Sequence, residues 1–134
     1  MNTTYWLNTI MENMYTNNES GFWIGLSSTR PDSDGSNVIE PSGNGYSRIE
    51  VGGFTTPDGG IVKNISAINF PISTGDWFPS NSKAAYWLLF DGSGSDANLL
   101  SWGNLDEPKT VESNTIVSIA ENTLSVTLMN YISA

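Results

Sequence analysis

Three oxygen-bearing side chains lie close together in the polar segment 30–44. Asp32 and Asn37 flank the turn Ser33-Asp34-Gly35-Ser36, and together with Asp34 they carry carboxylate and amide oxygens. A hard cation such as Ca²⁺ prefers such oxygens, although a complete site takes about 6–8 of them and the distal glutamate of a twelve-residue calcium loop is missing. The alternative is an ordinary solvated turn, in which Asp and Ser accept local backbone hydrogen bonds. Calcium is the one cofactor this pattern suggests.

Aromatic side chains are the second group that could bind a ligand. Large rings commonly fill cores, and an indole N–H that is buried usually finds an acceptor. Core packing is predicted for Trp23, Trp77, Trp87 and Trp102. We expect the indole of Trp77, at a strand end, to donate to a carbonyl. An exposed loop ring could instead stack on a sugar, and the candidates for glycan binding are Phe78 and Tyr46.

The composition excludes several classes of activity. The chain contains no histidine and no cysteine, which removes the Ser-His-Asp mechanism, thiolate nucleophiles and disulfides. A glycosidase needs two carboxylates about 5–10 Å apart, and nothing in the sequence singles out such a pair. The net charge is −9, and an acidic protein repels a phosphate backbone. We therefore predict no enzymatic activity and no nucleic-acid partner.

The first residues predict a short helix over residues 1–16, because apolar side chains recur there at three- and four-residue spacing. Asn2 or Thr3 can cap its N-terminus. The apolar stripe either packs on the sheet of its own domain or docks on a partner subunit, for which an adaptable, Met-rich face is suited. The residues predicted for a subunit contact are Trp6, Leu7, Ile10, Met11 and Met14.

Residues 21–130 show strand patterns separated by turns. The predicted strands are 22–27, 46–51, 61–65, 67–70, 84–90, 98–103, 115–120 and 123–129. The apolar run 84–90 is typical of a central strand covered on both faces, and it forms a hairpin with 98–103. The turn Glu121-Asn122 joins the last two strands. One domain over residues 1–134 is predicted, mainly β, an antiparallel β-sandwich or jelly roll with one N-terminal α-helix.

A series of short motifs runs along the chain in a fixed order. The motifs are Phe22-Trp23-Ile24-Gly25-Leu26-Ser27, Arg30-Pro31, Ile39-Glu40-Pro41, Gly45-Tyr46-Ser47-Arg48, Ala67-Ile68-Asn69-Phe70, Ser73-Thr74-Gly75-Asp76-Trp77, Leu89-Phe90-Asp91, Asn98-Leu99-Leu100-Ser101-Trp102-Gly103-Asn104-Leu105 and Pro108-Lys109-Thr110-Val111-Glu112. Over about residues 5–129, this order resembles a family of small tailed-bacteriophage and prophage proteins labelled tail fibre proteins. The segment Phe78-Pro79-Ser80-Asn81 departs from the glycine and short polar stretch that the family has there. The resemblance implies a virion structural protein and carries over no catalytic residue.

The expected function is a structural role in a virion, at the tail fibre or tail tip. Subunit contacts would form a homo-oligomer, which we expect to be a trimer, and the protein would also contact other virion proteins. Host-surface polysaccharide is a further candidate partner. The alternatives are a capsid decoration protein and a free carbohydrate-binding module. The sequence has no signal-peptide pattern and no apolar run of about 20 residues, so we predict synthesis in the host cytoplasm, no membrane insertion and localisation to the virion.

Overall fold

The N-terminal helix is present and is short. The computed structural model describes residues 3–17 and 21–128. Helix α1 spans Thr4–Met11, and the Thr3 side chain caps it by accepting from the Trp6 N–H at 3.2 Å. A wider π turn, Glu12–Thr16, continues it, with the Asn17 N–H donating to the Glu12 carbonyl at 2.8 Å. No helix in the described ranges is long and apolar enough to cross a membrane.

In the described part of the chain, eight strands follow the helix, and every pairing between them is antiparallel. They are β1 (Trp23–Ser27), β2 (Ile49–Glu50), β3 (Ile61–Lys63), β4 (Ile68–Asn69), β5 (Ala84–Phe90), β6 (Leu99–Lys109), β7 (Ser118–Ile119) and β8 (Ser125–Thr127). The mainly β class with one short helix is therefore confirmed.

The largest sheet has four strands in the order β2-β1-β5-β6. Strand β5 lies between β1 and β6, as its continuous apolar run predicts, and it forms the expected hairpin with β6. Because side chains alternate across a strand, Ile24 and Leu26 face one side, both fully buried. Gly25 faces the other side, where its cross-strand neighbour is Leu88. We call these the core face and the outer face of the sheet.

Two small sheets, β3-β8 and β4-β7, form a second layer. Val62 and Val126 from the first sheet, and Ile68 and Ile119 from the second, belong to the same buried cluster as Ile24. The helix contributes to this cluster as well. This packing of two layers around one apolar core is the arrangement of a sandwich.

The last two strands do not pair with each other, in contrast to what the Glu121-Asn122 turn suggests. Strand β7 pairs with β4, and β8 pairs with β3. The reason is Asn64, whose carbonyl accepts from the Asn122 N–H at 2.8 Å and whose side chain accepts from the Leu124 N–H at 2.9 Å. These bonds hold the turn against β3 and direct the two strands into separate sheets.

The predicted strand 46–51 is also shorter than expected. Only Ile49–Glu50 pairs with β1. Further along β1, the backbone N–H of Leu26 donates instead to the hydroxyl of Tyr46 at 3.1 Å. A side-chain acceptor thus replaces the strand neighbour at this position. Conversely, β6 is longer than predicted and continues to Lys109, with a bulge opposite β5 between the pairs Tyr86–Asn104 and Ala84–Lys109.

Candidate binding surfaces

The apolar stripe of the N-terminal helix is in fact two neighbouring stripes. Leu7, Met11 and Tyr15 are buried, with Met11 only 2% exposed. The ring of Tyr15 lies 5.1 Å from that of Phe22 and 5.3 Å from that of Phe54. Leu7 and Met11, predicted for a subunit contact, therefore pack inside their own domain and are not available to a partner.

The second stripe is offset from the first by one residue. Trp6 is 51% exposed, Met14 is 48% exposed, and Ile10 between them is half-buried. Tyr5, at the start of the helix, is 78% exposed. Only Glu12 carries a charge among residues 3–17. We call Tyr5, Trp6, Ile10 and Met14 the outer helix face.

The two aromatic residues predicted for glycan binding are a buried phenylalanine and a half-buried tyrosine. Phe78 is buried. Tyr46 packs edge-on against Trp77, with ring centres 5.1 Å apart, and parallel to Phe70 at 6.3 Å. Phe78 offers no open face to a sugar, and the ring of Tyr46 packs against Phe70 and Trp77. A glycan-binding role for Phe78 and Tyr46 stays a prediction. The Trp77 indole donates to the Asn44 carbonyl at 2.9 Å, as predicted.

A polar cluster of Glu40, Tyr46 and Arg48 lies on the outer face of the four-stranded sheet. Arg48 binds both carboxylate oxygens of Glu40, with Nε at 2.9 Å and Nη2 at 2.8 Å, and Tyr46 donates its hydroxyl to the same carboxylate. Arg48 Nη1 also donates to the Gly94 carbonyl at 2.8 Å. Its guanidinium carbon lies 3.5 Å from the centre of the Phe90 ring. This cluster fastens the β5–β6 turn to the 40–48 segment.

The electrostatics of the cluster fit a structural role. Burial, together with the charge of Glu40, raises the pKa of Tyr46 above its usual value. The hydrogen bonds to Glu40 raise the pKa of Arg48, so both side chains stay protonated at neutral pH. A bidentate guanidinium–carboxylate pair is among the stronger charge-assisted contacts. Sequence spacing alone did not reveal it, because Glu40 and Arg48 meet through the fold of a polar loop.

The segment predicted to hold calcium is closed by local hydrogen bonds. Asp34 accepts from both the backbone N–H and the hydroxyl of Ser36, at 3.0 and 2.6 Å, and these bonds lower the pKa of its carboxyl. The Asn37 amide donates to the Arg30 carbonyl at 3.0 Å. Within residues 3–17 and 21–128, no group of three or more acidic side chains is placed to hold a metal ion. The geometry matches the solvated-turn alternative, and a calcium role for Asp32, Asp34 and Asn37 stays a prediction.

Sequence reasoning also missed three buried polar residues that link separate segments: Ser27, Asn64 and Ser73. The Ser27 hydroxyl accepts from the N–H groups of Thr29 and Ile39. Ser73 bonds the backbone of Thr115 in both directions, through its own N–H and through its hydroxyl. Each links its own segment to backbone groups further along the chain, in a fold whose strands are short. A serine or asparagine within an apolar pattern is the signal that could have identified them.

Each polar cluster described above is bonded within itself or to neighbouring backbone groups. Among the described residues, the exposed aromatic side chains Tyr5 and Trp6 are on the helix, whereas the exposed aliphatic ones outside it are scattered along the chain. This combination is that of a structural β-protein with a contact face. A comparison with protein families agrees: the model described as podophage GP4 fiber I protein gp80 matches residues 2–127. The chain belongs to this family, and it is a bacteriophage fibre protein, a structural component of the virion that associates with other virion proteins. A search of curated proteins finds no match.

Proposed function

We propose that this protein is a tail-fibre subunit that forms a homo-oligomer through the outer helix face and presents its remaining surface to the host envelope. The family match supports the fibre role. The observation that carries the assembly role is the exposure of Tyr5 and Trp6 on a helix whose other side is fixed in the core. Exposed aromatic residues are enriched at subunit interfaces.

The charge distribution favours a second copy of the same chain as the partner at this face. Each chain carries a net charge of −9, so two copies repel each other over most of their surfaces. Helical residues 3–17 contribute one charge, that of Glu12. Contact through this segment brings apolar side chains together and adds little repulsion, which is the condition for self-association about a symmetry axis.

Point substitutions test the assembly role better than removal of the helix. Deleting residues 1–15 would remove Leu7 and Met11 from the core and unfold the domain. We expect the wild type to sediment as a trimer at equilibrium. We expect the double variant Tyr5→Ser, Trp6→Ser to keep the wild-type melting temperature and to be monomeric. Ile116→Ser is the matched control, since Ile116 is 60% exposed on another part of the surface, and it should leave the trimer intact.

Two results would contradict the proposal. One is a monomeric wild type at micromolar concentration, and the other is a double variant that still forms the trimer. The position on the particle is tested by labelling virions with a gold-conjugated antibody against the protein. Gold at the tail supports the fibre role, whereas gold over the head would indicate a decoration protein. Unlabelled virions would indicate a free module.

A further inference from the structure

We propose that a groove between the 32–35 turn and strand β6 binds a neutral saccharide, with Trp102 as its stacking surface. The groove encloses about 230 Å³ and is lined by Asp32, Ser33, Gly35 and Leu99–Trp102. The inference rests on the proposed host-facing function and names the ligand class and the site. We call this surface the Trp102 groove.

The position of Trp102 is fixed by the sheet. It lies directly opposite Leu88 in the β5–β6 register, so its side chain is on the outer face. Its ring is half-buried and meets Tyr86 edge-on, with ring centres 5.8 Å apart. The guanidinium carbon of exposed Arg30 lies over the ring, 5.1 Å from its centre, so a sugar that stacks on this face has Arg30 beside it or displaces it. An indole held by a strand and by a second ring needs little ordering when a ligand binds.

The loop that forms the other wall of the groove is also held in place. The Thr29 hydroxyl donates to the Asn37 carbonyl at 2.6 Å, and the Asn37 amide donates to the Arg30 carbonyl at 3.0 Å. Asn37 adopts a positive φ of 62°, which asparagine tolerates better than most residues. These contacts close the loop at its base. As a result, Arg30 and Asp32 project from a pre-organised segment.

The polar groups at the groove match the hydroxyls of a sugar. Within the described residues, no carboxylate forms an ion pair with Arg30, so its guanidinium retains donors for a ligand. Asp32 is exposed and supplies an acceptor, and Ser33 adds a hydroxyl. A donor and an acceptor beside an aromatic ring can bind hydroxyls while the ring packs on C–H groups. Asp32 and the net charge of −9 oppose acidic sugars, which leaves a neutral one.

The groove and the outer helix face are separated by the four-stranded sheet. Met11 and Tyr15 belong to the cluster on the core face, whereas Trp102 lies on the outer face. A saccharide can therefore bind while the helix is in a subunit contact. In an oligomer, the repeated groove would add avidity to weak individual sites.

The test uses the full-length protein and a panel of oligosaccharides, one set built from neutral hexoses and N-acetylhexosamines and one from uronic and sialic acids. We expect binding to a neutral member by calorimetry, with affinity at least about tenfold lower in Trp102→Ala. Arg30→Gln and Asp32→Asn should each weaken binding as well. Trp23→Ala is the matched control, since Trp23 is a half-buried tryptophan of β1 outside the Trp102 groove, and it should leave the affinity unchanged.

Several outcomes would overturn the site. They are binding to acidic sugars only, no binding to any neutral member by folded wild-type protein, or the same affinity in Trp102→Ala as in wild type. An equal loss in the two tryptophan variants would likewise exclude a specific role for the groove. Melting curves of each variant separate lost binding from lost folding. If sugar binding fails but the trimer and the tail labelling hold, the fibre function stands and this site alone is wrong.

Discussion

At the scale of single residues, Gly25 determines how closely the 40–48 segment can approach strand β1. A β-carbon added there would lie 2.5 Å from Glu40 Oε2 and 2.7 Å from the Tyr46 hydroxyl. The side chain of Glu40 is 18% exposed and that of Arg48 is 11% exposed. A charged pair so far removed from water needs good hydrogen-bond geometry to offset the cost of its desolvation. The absence of a side chain at residue 25 therefore makes the polar cluster possible.

Gly25→Ala should accordingly destabilise the protein by about 1–3 kcal/mol, the usual cost of forcing an extra methyl into a packed site. Urea unfolding followed by tryptophan fluorescence measures the change. Gly52→Ala serves as the control, because the nearest atom to its added β-carbon is a serine oxygen 3.6 Å away. Equal unfolding free energies for the two variants would mean that Gly25 does not set this approach.

At the scale of elements, short strands are connected by buried polar side chains. Asn64 donates to the carbonyls of Ser66 and Ala120, at 2.8 and 3.0 Å, and accepts from the Leu124 N–H. Its side chain is fully buried, so any bond it loses leaves an unpaired backbone group away from water. The end of β3 is therefore linked to the start of β8 by the Asn64 side chain, in addition to the pairing of the two strands.

We expect Asn64→Ala to lower the free energy of unfolding by about 3 kcal/mol, since an unsatisfied buried group costs about 1–3 kcal/mol and several are created at once. The control is Asn69→Ala, because Asn69 is exposed on β4 and accepts one bond, from the Ser118 hydroxyl. Denaturant unfolding compares the two variants. Amide hydrogen exchange should also show faster exchange at Leu124 in Asn64→Ala, and unchanged protection there would contradict the linking role.

At the scale of the whole molecule, global stability should depend on pH through its buried tyrosines. The pKa of Tyr46 is raised by burial and by Glu40, and that of Tyr15 is raised by burial. Above pH 10, the unfolded chain releases these protons while the folded protein keeps them. The folded state then binds more protons than the unfolded state, so stability falls as pH rises.

The free energy of unfolding should therefore be constant from pH 8 to 9 and fall above pH 10, by at most about 1.4 kcal/mol per pH unit for each tyrosine. Tyr46→Phe should be less stable at pH 8 but show a shallower decline, because one titrating group is gone. Trp77→Phe, which alters a neighbour of Tyr46 without removing a titrating group, should keep the wild-type slope. A Tyr46→Phe slope as steep as wild type would show that Tyr46 does not contribute.

Composition and periodicity were sufficient to predict the mainly β class of this protein and several of its elements. The alternation of apolar and polar residues, the glycine turns and the apolar run 84–90 predicted a mainly β fold, its central strand and its hairpin. Short-range periodicity depends on local geometry alone. The bond donated by the Trp77 indole was also predictable, since a buried indole N–H needs an acceptor wherever it lies.

The pairing partners of those elements became known from the three-dimensional fold. It divided the helix stripe into a buried and an exposed row, buried Phe78, packed Tyr46 against the core, and assembled Glu40 with Arg48. It also paired β7 with β4 and β8 with β3. These outcomes depend on contacts between residues far apart in the chain, and a one-residue offset or a single buried asparagine changes them. A local sequence pattern does not predict such contacts, because they depend on how all segments of the chain pack together around one core.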